Sequence, residues 1–301
     1  MIDVERAAVI TRRQVLSLAA ASAVASLGRR AWATGDPMPC AFVGHGSPRL
    51  AIDPVRGPEL RAWGASLPQP RGVVVLTPHY RAEKLTIGHV GKGRGLYSFP
   101  AFMRSELPAG LDYPSPDNAA LASTVRDLLA PLEPTVDPQR AGFDHTSWMP
   151  LHHMLPKADV PVVELALPFA PEAELFTLGK RLAPLRHEGV LILASGNATH
   201  NLASIDVHAA TPANAPRAAW AVEFDAWLAK TLAARDVAAL LDWRKRAPSA
   251  WLAHPDDGGH YRVMLVALGA AVGGATTFES ARFPVEGFEA PTLSKRCVEL
   301  R

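Results

Sequence analysis

Three histidines of this sequence lie shortly after apolar runs that are typical of buried β-strands. His45 and His79 each follow such a run by two residues, and His200 follows another by six residues. In open α/β sheets, ligands bind in the crevice outside the carboxyl ends of the strands. If the three strands are parallel neighbours, the three imidazoles meet in one crevice. Imidazole is a preferred ligand of zinc, iron, copper and nickel, so the pattern favours a metal site.

Two further histidines are candidates for the same crevice. His260 opens a predicted helix after the polar loop 254–259, and His145 lies in a predicted polar loop beside Asp144. Each histidine alone is better explained as an ordinary hydrogen-bonded side chain, so the metal hypothesis depends on the whole set. The predicted ligands of one divalent ion are His45, His79, His200 and His260.

Several other catalytic patterns are absent from the sequence. There is no His-Glu-x-x-His motif, which excludes a zincin, and no Gly-x-Ser-x-Gly motif, which weakens a serine hydrolase. The glycine-rich stretch 91–95 lacks the spacing of a phosphate-binding loop, so we interpret it as a solvated turn. Ser47 and Ser195 remain candidate polar residues of the crevice.

The elements that must position these residues alternate between short apolar strands and longer helical patterns. This alternation predicts a single α/β domain with a mixed, mostly parallel central sheet and helices on both faces. Asn118 has the side chain of a helix N-cap. The predicted strands are Cys40–Val43, Gly72–Thr77, Leu85–Val90, Val160–Ala166, Val190–Ala194 and Ala275–Phe278, and the predicted helices are Pro58–Leu67, Asn118–Leu132, Pro171–Arg186, Ala213–Ala234 and Tyr261–Ala271.

The composition is that of a folded protein without a nucleic-acid partner. Of the 301 residues, 48% are hydrophobic, and the formal net charge is only +2, so a clustered basic surface is not indicated. The two cysteines, Cys40 and Cys297, exclude a disulfide-rich scaffold and a four-cysteine zinc site. Whether they pair with each other is left open.

The first 33 residues have the features of an export signal. Arg12-Arg13 precedes an apolar run from Val15 to Leu27, and Ala31-Trp32-Ala33 fits a cleavage site. The run is too short for a stable membrane span, which needs about 20 residues. The paired arginines predict a twin-arginine signal, export by the twin-arginine machinery, and a periplasmic or otherwise exported protein.

Five motifs follow one another along residues 34–301. They are Gly44-His45-Gly46-Ser47-Pro48, Thr77-Pro78-His79-Tyr80, Asp144-His145-x-x-Trp148-x-Pro150-Leu151, Ser195-Gly196-Asn197-x-x-His200-Asn201-Leu202 and His260-Tyr261. In order and spacing, this series resembles the motifs of the class III extradiol ring-cleavage dioxygenases, and within them the DOPA-4,5-dioxygenase-like branch.

The resemblance implies that residues 34–301 form an extradiol ring-cleavage dioxygenase-like catalytic domain with a single-domain α/β fold. It also implies a divalent metal, Fe(II) or Zn(II), held by histidines. Matched motif by motif, His45, His79 and His260 correspond to metal ligands. His200 corresponds to a further ligand or to an acid/base group, and His145 to a loop histidine of the active site.

The leading hypothesis is the opening of a catechol-type aromatic ring with O2. Fe(II) would bind both catechol oxygens and O2, while neutral His200 or His145 takes a proton from the second hydroxyl. The candidate substrate contacts are Ser47, Tyr80, Trp148 and Asn197. The two aromatic residues of this set are explained equally well as packing residues. Two alternatives are a zinc-dependent hydrolase that uses the same cluster and a non-catalytic exported metal-binding protein.

Overall fold

The computed structural model describes residues 36–204 and 215–301, and an eight-stranded sheet is its central element. The strands are β1 (Cys40–Gly44), β2 (Gly72–Ala82), β3 (Thr86–Ile87), β4 (Thr135–Val136), β5 (Val162–Pro168), β6 (Val190–Gly196), β7 (Ala281–Arg282), β8 (Phe288–Ala290), β9 (Leu293–Ser294) and β10 (Val298–Leu300). The large sheet has the order β4-β3-β5-β2-β6-β1-β10-β7, whereas β8 and β9 pair separately.

The four strands at the centre of the sheet, β5-β2-β6-β1, run parallel to one another. Antiparallel pairs join β3 to β5 on one side and β10 to β1 and β7 on the other. This arrangement confirms the predicted mixed, mostly parallel sheet of a single α/β domain. Because β2, β6 and β1 are parallel neighbours, their carboxyl ends lie at the same edge of the sheet.

Helices cover both faces of the sheet. They are α1 (Arg56–Ser66), α2 (Ala101–Arg104), α3 (Ala119–Leu128), α4 (His145–Met154), α5 (Glu172–Leu182), α6 (Pro184–His187), α7 (Ala219–Ala233), α8 (Val237–Leu241), α9 (Trp243–Arg246), α10 (Ala250–Ala253) and α11 (Gly259–Val272). In the described part of the chain, short 3-10 helices occupy Pro48–Ile52, Ala130–Leu132 and Leu202–Ser204.

The two hydrophobic cores follow directly from the alternation of side chains along the strands. In β1, Cys40 and Phe42 belong to one core, and Ala41 and Val43 belong to the other. The first core is shared with α3, α5, α7 and α11, and the second with α1 and α4. Central strands are therefore apolar on both faces, as strands covered by helices on both sides must be.

Some predicted elements differ from the structure. The strand predicted at Ala275–Phe278 is wrong, since these residues form a bend and the strand follows at Ala281–Arg282. Phe278 contributed to the apolar pattern that predicted a strand here, and its side chain is buried in the core although the residue does not belong to the sheet. The helix predicted from Pro171 to Arg186 is divided into two because Pro184 cannot continue it.

Two further predictions need correction near the site. Asn118 occupies the N-cap position of α3, but its side chain bonds to Gly91, His89 and Val162 instead of capping the helix. His145 is the first residue of α4 and does not lie in a loop. The side chain of Asp144 caps this helix by accepting a hydrogen bond from the backbone N–H of Thr146.

Other expectations concern the chain as a whole. The signal predicted at residues 1–33 lies outside the described residues, as does the start of the helix predicted from Ala213. Among the residues described, no helix has both the length and the apolar character needed to cross a membrane. Cys40 and Cys297 are both free and buried, and they belong to the cores on opposite faces of the sheet.

Close backbone packing joins α5 to α11, the helix that carries His260. A Cβ atom at Gly269 would overlap the carbonyl oxygen of Phe176, and one at Gly179 would overlap that of Val266. The two helices can therefore approach only because both positions are glycine. Their contact fixes the helix whose first turn contributes to the histidine cluster.

Replacement of Gly269 by Ala should destabilise the protein, because an added methyl group forces α5 and α11 apart. We expect the free energy of unfolding to fall by about 1–3 kcal/mol, the usual cost of overpacking a core. Gly274→Ala is the matched control, since a Cβ at Gly274 meets no atom within 4 Å. Denaturant unfolding measures both variants, and equal stabilities would contradict this account of the helix contact.

Candidate metal centre

Three histidines meet at the carboxyl edge of the central strands. His45 directly follows β1, His79 lies in the last part of β2, and His260 is the second residue of α11. The ring centroid of His45 lies 5.4 Å from that of His79 and 5.1 Å from that of His260, and the remaining pair is 5.4 Å apart. Three segments that are distant in sequence thus contribute one imidazole each.

The donor atoms of this triad fit a divalent transition-metal ion. The candidate ligand nitrogens of His45, His79 and His260 all lie within 4.8 Å of one another. Zinc holds imidazole nitrogens at about 2.0–2.1 Å, so two nitrogens on one ion are at most about 4.2 Å apart. Small side-chain movements are therefore enough to bring the three nitrogens onto a common ion.

Burial keeps the triad in the form that binds metals. Burial and the neighbouring histidines lower the pKa values of His45 and His260 well below the ordinary value. Burial also lowers the pKa of His79, and the negative charge of Asp144 opposes part of this change. The three imidazoles are thus neutral near pH 7, and a neutral imidazole offers a lone pair to a metal.

Hydrogen bonding determines which nitrogen of His45 carries its proton. The Ser195 hydroxyl lies 3.0 Å from His45 Nδ1 and also contacts the carbonyl oxygen of Thr146 at 2.5 Å. A carbonyl oxygen can only accept, so the Ser195 proton points to Thr146. The Nδ1–H of His45 must then donate to Ser195, which leaves the lone pair of Nε2 for a metal ion.

Asn197 holds two of the three histidine segments together. Its side-chain oxygen accepts a hydrogen bond from the backbone N–H of Gly46, next to His45, at 2.9 Å. Its side-chain nitrogen lies 3.1 Å from Nδ1 of His260. Asn197 was predicted to contact substrate, but the structure uses both ends of its amide to orient the histidine cluster.

His200 lies beside the triad, stacked on it from one side. Its ring is nearly parallel to that of His260, with ring centroids 3.4 Å apart and an interplanar angle of 12°. Among the described residues, it does not belong to the groups whose ligand atoms converge within 4.8 Å. Burial lowers the pKa of His200 to about 4, so this imidazole is also neutral near pH 7.

His145 lies beside His79, with ring centroids 4.9 Å apart. Its Nδ1 is 3.0 Å from the Ser98 hydroxyl and 3.3 Å from Oδ1 of Asp144. The ring of Phe99 meets the ring of His145 edge-on at 4.9 Å. His145 also lines a small recess together with His45 and Ser47.

A second group of possible ligands consists of His79, Asp144 and His145. Both carboxylate oxygens of Asp144 already accept hydrogen bonds, from Thr146 and from Ser98. Although burial alone would raise the pKa of Asp144, its contacts with His145 and His79 hold it well below the usual range. The carboxylate is therefore occupied by its neighbours, and the all-histidine triad is the stronger candidate for an ion.

The structure does not bring the two predicted aromatic contacts to the triad. The Tyr80 hydroxyl donates to Asp137 at 3.1 Å, and the Arg140 guanidinium lies over the Tyr80 ring at 4.0 Å. Trp148 is fully buried in the core, and its Nε1–H donates to the carbonyl oxygen of Leu96. Phe99, which the sequence analysis did not single out, is the aromatic side chain beside His145.

Ser47 takes part in an ion-pair cluster behind His45. Its hydroxyl donates to Oε1 of Glu289 at 2.6 Å, and Arg56 donates to Oε2 of the same carboxylate at 2.5 Å. Arg56 also donates to the carbonyl oxygen of Gly44. Sequence reasoning missed Arg56 and Glu289, because they are 233 positions apart and no local pattern connects them.

Comparisons with known proteins show the family to which the chain is related. The family model "Catalytic LigB subunit of aromatic ring-opening dioxygenase" matches residues 58–290. The chain is 32% identical to "4,5-DOPA dioxygenase extradiol" of Escherichia coli K12, over 87% of this chain and 94% of the relative. It is 32% identical to the protein of the same name from Beta vulgaris, over 76% of this chain and 85% of that relative.

The fold comparison leads to the same group. An uncharacterized protein from Escherichia coli K12 of known crystal structure is similar to this chain, with a TM-score of 0.71 and 31% sequence identity. The match covers 88% of this chain and 100% of the other. From the family match and the extent of these similarities, we conclude that the chain belongs to the LigB family of aromatic ring-opening dioxygenases.

Proposed function

We propose that this protein opens a catechol-type aromatic ring with O2 by extradiol cleavage, at a divalent metal held by His45, His79 and His260. The observation that carries the proposal is the convergence of three neutral imidazoles at the edge of the sheet where ligands bind in α/β proteins. The names of the relatives, which are 4,5-DOPA dioxygenases, support a catechol as the substrate class.

We propose Fe(II) as the metal ion of this site, with Zn(II) as the alternative. Fe(II) with few protein ligands leaves adjacent positions for a catechol and O2, and this is the chemistry that the metal supplies. Three protein ligands suit this requirement, since non-haem Fe(II) oxygenases typically hold the metal with three protein side chains and keep the remaining positions open. His200 is therefore left for another role.

We assign proton transfer to His200 and His145, which contact different members of the triad. The ring of His200 stacks on that of His260 and the ring of His145 meets that of His79 edge-on, so both are close to a substrate bound at the proposed ion. A neutral imidazole accepts a proton from a catechol hydroxyl and returns it to the ring-opened product. Asp144 and Ser98 orient His145 for this task. Phe99 provides an aromatic edge beside it.

Anaerobic loading with Fe(II), followed by a series of catechols and O2, tests the reaction. A yellow ring-fission product that requires both Fe(II) and O2 is the expected result. A Zn(II)-loaded protein that hydrolyses esters, combined with no ring fission from any catechol, would favour the zinc hydrolase instead. Metal binding without turnover of either kind would favour a non-catalytic metal-binding protein.

Each of the substitutions His45→Ala, His79→Ala and His260→Ala should greatly reduce the amount of metal bound per chain, because two imidazoles hold an ion far more weakly than three. His187→Ala is the matched control, since His187 is an exposed histidine at the end of α6, outside the cluster. Elemental analysis after dialysis against a weak chelator measures the metal per chain. Full occupancy in any of the three triad variants would contradict the proposed ligand set.

Substitution of His200 or His145 by Gln should leave metal binding intact and lower kcat by about 10²-fold or more, the usual contribution of a general acid or base. The two readouts, metal per chain and kcat, distinguish a proton-transfer residue from a ligand. His187→Gln serves as the control. Wild-type turnover in both variants would exclude these histidines as the proton-transfer groups.

We further propose that residues 1–33 direct the protein out of the cytoplasm through the twin-arginine machinery. Conversion of Arg12 and Arg13 to Lys should retain the protein in the cytoplasm, because this machinery reads the arginine pair. Arg29→Lys combined with Arg30→Lys is the matched control, since this second pair follows the apolar run. Fractionation of a host with that machinery measures the exported share, and equal export of both double variants would refute the proposal.

A further inference from the structure

His79 is the least constrained member of the proposed ligand triad. Its side chain is 32% exposed, whereas His45 and His260 are buried. It also lies where the regular pairing of β2 with β5 is interrupted, between Thr77 and Arg81. Core packing and the strand ladder therefore restrain its imidazole only in part, which leaves a role for a further restraint.

A chain of hydroxyl groups begins at the backbone of His79. The backbone N–H of His79 lies 3.3 Å from the Thr77 hydroxyl oxygen. The Thr77 hydroxyl is 2.5 Å from the Thr146 hydroxyl, which in turn is 2.6 Å from Oδ1 of Asp144. Thr77 ends the regular part of β2, and Thr146 is in the first turn of α4, so the chain connects a strand to a helix.

The groups at the two ends of this chain determine the direction in which each hydrogen bond is donated. A backbone N–H can only donate and an ionised carboxylate can only accept. The Thr146 proton must therefore point to Asp144, and the Thr77 proton must point to Thr146. Each hydroxyl then both accepts and donates, an arrangement in which successive hydrogen bonds strengthen one another.

The chain of hydrogen bonds that starts at the backbone of His79 ends at a carboxylate beside the side chain of the same residue. Oδ1 of Asp144 lies 3.7 Å from Nδ1 of His79 and 3.3 Å from Nδ1 of His145. One end of the chain thus holds the backbone of His79, and the other end faces its ring. The backbone of Thr146 also accepts the hydrogen bond of Ser195, the partner of His45.

We propose that Thr77 and Thr146 are positioning residues for metal binding: their hydroxyl chain fixes the His79 imidazole relative to Asp144 and His145. The proposal rests on the metal centre proposed above and adds two residues that are not among its proposed ligands. Partners of this kind fix the orientation of metal-ligating histidines, and their loss typically weakens metal binding by about 10–100-fold.

The test uses variants of similar shape that remove or keep the hydroxyl. Thr146→Val and Thr77→Val each break the chain, while Thr146→Ser retains it. Thr86→Val is the matched control, because Thr86 and Thr135 form another threonine pair, at 3.0 Å, between strands β3 and β4 of the same sheet. Co(II) is the probe, since its visible spectrum reports the geometry of its ligands and its affinity is measured by competition with a chelator.

Thr146→Val should weaken Co(II) binding by about tenfold or more and change the visible spectrum, and Thr146→Ser should restore both. The double variant should bind Co(II) about as weakly as either single variant, because one break is enough to interrupt the chain. Thr86→Val should bind as the wild type does. Unchanged affinity and spectrum in Thr146→Val would overturn the inference, as would an equal loss in Thr86→Val.

The outcome is distinguishable from a failure of the proposed function. If the wild-type protein and Thr146→Val bind Co(II) equally tightly, the proposed metal centre is still supported and only the proposed role of the two threonines is refuted. A wild-type protein that binds no Co(II) overturns the metal centre itself. Neither measurement depends on ring opening.

Discussion

Three imidazoles with ring centroids 5.1–5.4 Å apart share one crevice in this protein, and two of them are buried. Such rings cannot all be in the positively charged, doubly protonated form, because like charges at this distance repel one another and burial opposes each charge. The cluster is stable with neutral rings, and the ligand nitrogens of the three side chains lie within 4.8 Å of one another. This is the form in which imidazoles bind a divalent cation, and much of the surrounding structure holds the rings in place for one.

Two sets of contacts produce this arrangement: the packing of strands and helices, and the hydrogen bonds of polar side chains. Parallel strands β1, β2 and β6 bring His45, His79 and Asn197 to one edge, and the contact of α11 with α5 fixes the segment that carries His260. Polar side chains then orient the rings. Ser195 binds His45, Asn197 contacts His260, and Asp144 lies between His79 and His145. The Arg56–Glu289 ion pair supports the loop of His45 from behind.

The sequence was sufficient for those parts of the site that depend on local pattern. His45 and His79 could be assigned to one edge, on the condition that their strands are parallel neighbours, because each follows an apolar run and the α/β alternation predicted a mostly parallel sheet. His145 was misassigned to a loop, although Asp144 followed by Thr146 is an N-cap pattern that could have indicated the helix. Pro150 lies inside this helix, and a proline within a segment is a sequence signal against a helix.

Other features depend on contacts that no local pattern contains. Tyr80 and His79 are adjacent, but the irregular part of β2 directs Tyr80 to Asp137 and Arg140 instead of to the crevice. The roles of Asn197, Ser47 and Glu289 arise only when distant segments meet. Polar residues near a predicted site were therefore assigned to substrate, whereas in the fold several of them hold the histidines.

Anomalous X-ray diffraction from crystals of the metal-loaded protein tests the central claim most directly. We predict one strong anomalous peak per chain, with a nitrogen of each of His45, His79 and His260 at about 2.0–2.2 Å from the ion. A principal peak elsewhere in the molecule, or an ion in contact with only one of these three side chains, would contradict the account.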